Sequence, residues 1–120
     1  MLPPALASRF RALTLGDPSM LAALLAWPTE TDDPSTRRAA SLLRIAVLVG
    51  LDAGTPAYQR EVNEALAAGA TPEEIYDLLP TIASLVGTAL VMAAAPRIAL
   101  ALGYDVDAAM ESMDADEPGG

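Results

Sequence analysis

Three side chains in this sequence have the types and setting to do chemistry: Glu61, Arg44 and Tyr58. Glu61 lies at the rim of the apolar face of a helical segment, "TPAYQREVNEALAAG". A carboxyl there has two uses. It reaches solvent or pairs with an arginine, or it moves a proton as a general acid/base. Apolar neighbours hold a carboxyl's proton to higher pH, which is the property that acid/base work needs. Arg44 is the single charge between Arg38 and Asp52. An unpaired buried guanidinium is costly, so Arg44 either pairs with a protein carboxylate, Glu61 being within reach across a short turn, or holds a substrate carboxylate in its planar fork. Tyr58 and Tyr76 fall at core or pocket-edge positions of their helices. Core is the simpler expectation for both, and Tyr58 is placed to shape a pocket beside Glu61.

The rest of the inventory narrows the chemistry. The chain has no Cys and no His. That removes disulfides, thiol redox steps, Cys/His zinc sites, haem held by His and the Ser-His or Cys-His triads. No cofactor is expected. "GLDAG" lacks the Lys and the strand context of a phosphate-binding loop. The formal net charge is −9, and all seven bases are Arg. A field of that sign repels phosphate backbones and anionic membrane surfaces, so no nucleic acid and no membrane partner is expected. An acidic substrate would need a local Arg to offset the field. The start "MLPPALASRF" lacks the basic then apolar pattern of a signal peptide. The apolar stretch from Leu78 to Gly103 is broken by Pro80 and Pro96-Arg97 and has no basic flanks, which argues against a membrane span. The expected location is the cytoplasm.

The elements that must position these residues are helices. Asp17-Pro18, Asp33-Pro34, Thr55-Pro56 and Thr71-Pro72 each set a capping side chain before a proline at the first helical position. Glu74 completes a capping box with Thr71, and Asp105 is a further cap. Gly54, Gly69 and Gly103 can take the left-handed turn that ends a helix. The pattern predicts helices near 4–14, 18–26, 34–52, 56–68, 72–95 (kinked or divided at Pro80), 97–102 and 106–113. No alternating strand pattern competes. "AASLLRIAVLVGL" is apolar nearly all round, as a central buried helix should be. Ile82, Leu85, Val86, Ala89 and Leu90 repeat at helical spacing and are expected to pack inward. Arg60 and Glu64 are expected to pair along the helix, and Trp27 to anchor the N-terminal helices. The apolar fraction is 52% but the aromatic fraction only 4%. A core of small side chains buries little area, so self-association is expected.

Residues 33–109, above all "EALAAGATPEEIYDLL" and "AAPRIALALGYDVDAA", resemble the carboxymuconolactone decarboxylase family, which includes alkylhydroperoxidase D, and most of all its actinobacterial members. The resemblance implies an alkylhydroperoxidase D-like all-α bundle of six to seven helices, assembled as a trimer or hexamer, with sites between helices near subunit contacts. It sets the family-like domain (33–113) apart from an N-terminal helical extension (1–32), and the tail "DADEPGG" (114–120), with little to bury, is expected to be disordered. Redox members of the family carry a Cys-x-x-Cys pair, a following His and an earlier Glu. Those positions hold Gly54, Ala57, Glu61 and, for the last, a residue at or near Leu42. Peroxidase activity is therefore not expected. The implied activity is that of a cofactor-independent lyase or isomerase on a small acidic or lactone-like molecule, with Glu61 where relatives carry His. The alternative is a non-catalytic oligomeric binding or scaffold protein that kept the fold and lost the site.

Overall fold

A computed structural model describes residues 1–26 and 32–116, with side chains described to 114. Trp27 and residues 117–120 lie outside the described residues, and with them the anchoring role expected of Trp27 and most of the expected tail. The described chain is all helical, in seven helices with no strand. It divides into two compact units, Met1–Glu30 and Thr31–Gly120.

The first unit is a pair of helices, α1 (Pro4–Thr14) and α2 (Pro18–Leu25). Asp17 caps α2, accepting from the Ser19 and Met20 amides at 2.9 and 3.1 Å. These bonds and one from the Ser19 hydroxyl lower its pKa, the hydroxyl most of all. No residue of either helix is buried.

The second unit holds α3 (Pro34–Gly50), α4 (Thr55–Ala67), α5 (Pro72–Val86), α6 (Thr88–Ala101) and α7 (Val106–Asp116). Its core is Ile45 and Val49 of α3, Tyr58, Val62 and Ala65 of α4, Ile75 and Leu79 of α5, and Ala94 and Ile98 of α6. The caps at Asp33, Thr71 and Asp105 form as expected, the capping box included. Thr55 does not cap α4. Gly54 holds the cap position without a side-chain bond, and Thr55 is the first helical residue.

The stops differ in one place. Gly69 and Gly103 are left-handed, but Gly54 is extended, at φ −79°. The left-handed residue after α3 is Asp52, at φ 51°. The Ala53 amide then reaches back to the Leu48 carbonyl at 3.1 Å, closing the turn. Asp tolerates this conformation better than most residues that carry a side chain.

The prolines do not divide the helices. Pro80 lies inside α5 and Pro96 inside α6. Each deprives the carbonyl four residues earlier of its donor. Those carbonyls belong to Tyr76 and Met92, both mainly exposed, where water can reach them. The break falls instead at Gly87, with φ 89° and ψ 155°, a region open almost only to glycine. Gly87 ends α5 and begins α6.

α3 is not buried all round. Ser41, Ile45 and Val49 face inward, while Leu43, Val47 and Leu51 form an exposed ridge. Leu85 also points outward, against expectation. The inward stripe of α5 runs through Ile75, Leu79, Ile82 and Val86, and Leu85 falls off it; Ala89, beyond the break at Gly87, is exposed as well.

Replacing Gly87 by Ala is expected to cost about 1–3 kcal/mol from backbone strain, because an added Cβ would meet no atom within 4 Å. Urea unfolding of Gly87→Ala should show a lower midpoint with an unchanged slope.

Candidate functional site

The buried face of α4 brings Tyr58 and Glu61 together, three residues apart and so one above the other on the helix. Tyr58 is fully buried and, among the described residues, is the largest side chain that is. Glu61 is 8% exposed. Its Oε1 meets the Arg60 Nε at 3.6 Å, at the surface, where the Arg60 side chain is 77% exposed. Its other oxygen, Oε2, is buried with no hydrogen-bond partner, and so is the Tyr58 hydroxyl. Leaving two such atoms unsatisfied costs on the order of 1–3 kcal/mol each, which native interiors seldom accept outside functional sites.

A salt bridge frames the same region. The Arg97 Nη1 of α6 donates to the Asp52 Oδ1 at 2.8 Å and to the Ala53 carbonyl at 2.9 Å. One guanidinium thus satisfies both the side chain of the left-handed residue and the carbonyl after it, and ties α6 to the α3–α4 turn. Burial raises the Tyr58 pKa; the Arg97 charge lowers it and the Asp52 charge raises it. The phenol is therefore protonated at neutral pH, with a hydroxyl proton that no described acceptor takes.

Arg44 is half-buried on α3 and makes no ion pair or hydrogen bond to Glu61, nor to any other described residue. Glu61 takes Arg60 instead, which also corrects the expected Arg60–Glu64 pair. Sequence reasoning missed Arg97 and Asp52. They lie 45 residues apart, and no local spacing links them.

Tyr76 is 64% exposed rather than core. With Met92, Tyr104 and Met110 it lines a groove of about 690 Å³ between α5, α6 and α7. Neither Glu61, Tyr58 nor Arg44 lines this groove. Among the described residues no group of three or more acidic side chains is placed to hold a metal ion. No single described helix is long and apolar enough to cross a membrane.

Compared with known proteins, the chain matches no family model, no curated protein and no solved structure.

The raised Tyr58 pKa has a definite sign in stability. The folded phenol holds its proton more tightly than the unfolded one, whose value is near 10.0. Its contribution is whole below that pH and is lost as pH rises through the folded value. Tyr58→Phe should remove a late-ionising phenol from the alkaline absorbance titration and flatten the fall of stability above about pH 10.

Proposed function

We propose that this chain is a carboxymuconolactone decarboxylase-like protein acting as a cofactor-independent lyase or isomerase on a small acidic or lactone-like molecule, without peroxidase activity. The observation that carries the reading is the buried, unpartnered Oε2 of Glu61, on the same buried face of α4 as Tyr58, whose hydroxyl is also buried and unpartnered. No described donor engages the Glu61 Oε2, so its lone pairs are open to a proton from substrate. Its twin, Oε1, stands at the surface beside Arg60 and can exchange that proton with water. In an isomerisation, Oε2 would remove a proton from the carbon next to a carbonyl and return it at another carbon. In a decarboxylation, loss of carbon dioxide leaves an electron pair on carbon, and the Glu61 carboxyl proton would quench it. The protonated Tyr58 would donate to the enolate oxygen as charge develops there. Arg44, free of any described protein partner, would hold the substrate carboxylate.

The reading includes assembly as a homo-oligomer, a trimer or hexamer, in the cytoplasm, with neither nucleic acid nor membrane as a partner. The ridge of Leu43, Val47 and Leu51, at 68%, 54% and 70% exposed, supports a contact between copies. Val47→Asp should lower the mass measured by light scattering; an unchanged mass would remove α3 from the contact.

A second reading, a non-catalytic oligomeric binding or scaffold protein, is favoured by one observation: the 690 Å³ groove leaves out Glu61, Tyr58 and Arg44. Turnover of a panel of small lactones and unsaturated carboxylic acids separates the two. The enzyme reading expects turnover that Glu61→Gln reduces at least about a hundredfold, in the range of a lost acid/base group, with the variant still folded by circular dichroism. Turnover indifferent to that change would sink the role of Glu61, and a panel with no turnover at all would favour the scaffold.

A further inference from the structure

The groove between α5, α6 and α7 is a second site, separate from the buried face of α4. At about 690 Å³ it falls within the range of small-molecule pockets, roughly 300–1,000 Å³. Its lining side chains are apolar except for Asp107 and the phenols of Tyr76 and Tyr104. Met92, at 72% exposed, and Met110, at 60%, are open to solvent and offer soft, adaptable surface.

The charge of this groove has one sign. Asp107 is its single ionised lining residue. The start of α7 could otherwise attract an anion through its free amides, but the chain's own Asp105 fills that role, accepting from the Ala108 amide at 3.0 Å. The nearby base on α6, Arg97, is engaged by Asp52 and the Ala53 carbonyl and does not line the groove. The chain as a whole carries −9. An anionic ligand would meet no complementary charge here. A cation would meet the Asp107 carboxylate in a groove that two tyrosines also line, a residue type whose ring can attract a positive head group.

We propose that the groove between α5, α6 and α7 binds a small hydrophobic molecule carrying one positive charge, such as an alkyl or arylalkyl amine, with its apolar body against Met92, Ile98 and Met110 and its cation at Asp107. The proposal is independent of the chemistry at Glu61 and of the oligomer contact on α3, which lies on a different helix.

The test uses the full chain with methyl-labelled methionines, titrated with decylamine and with decanoate below their micelle-forming concentrations. Decylamine should shift the Met92 and Met110 methyl signals saturably, and decanoate should bind at least about fivefold more weakly, the size expected for one exposed charge pair. Asp107→Asn, a change at an exposed position, should narrow that difference to about twofold or less. Equal binding of the two probes, or a preference unaltered by Asp107→Asn, overturns the proposal. Methionine signals that do not respond to decylamine at all overturn it too, as they would if a second copy covered the groove.

Discussion

One face of α4, carrying Tyr58, Glu61, Val62 and Ala65, is buried against α3 and α6, and the second unit is organised around it. With aromatic residues at only 4% of the chain, Tyr58 is the largest fully buried side chain among the described residues. Much of the remaining core is alanine and β-branched residues, which let helices approach closely but bury little area each. That face is also where stability and chemistry conflict. An apolar residue in place of Glu61 would suit the packing better, because its Oε2 is buried without a partner.

The Arg97 contact shows how that packing is locked. The turn between α3 and α4 contains a left-handed Asp52, a conformation that carries some strain for a residue with a Cβ. The side chain that makes it tolerable comes from α6. Three helices therefore meet at one guanidinium, close enough to Tyr58 for both charges to act on its hydroxyl.

The sequence carried the all-helical class and most helix starts, because caps are local. Asp17, Asp33, Thr71 and Asp105 each bond to amides two or three residues away, so their spacing alone identifies them. Features set by distant residues were not legible. Glycine is the usual left-handed stop, so Gly54 outranked Asp52 until the Arg97 bond was visible. Proline is the usual breaker, so Pro80 and Pro96 outranked Gly87; exposure of the carbonyls that they orphan depends on how the helices pack. At the candidate site, helical spacing places Tyr58 in the core, where it lies, but sets Glu61 only at the rim of that face; its burial depends on how neighbouring helices close over α4. The lack of an ion pair between Arg44 and Glu61 is not legible in this way, since helix length fixes height along the axis but not rotation about it.

Gly87 gives the second unit a mechanical property. Because a single residue both closes α5 and opens α6, the angle between those helices is governed by two backbone torsions and no intervening loop. α6 has 14 residues, a rod of about 21 Å. A rotation of about 10° at its base would carry its far end through roughly 4 Å. α7 follows that far end, so the width of the groove is read out at the tip of a lever. The Arg97 bonds act two-thirds of the way along it as a stay, which makes the salt bridge as much a setting of the groove as a support for the α3–α4 turn.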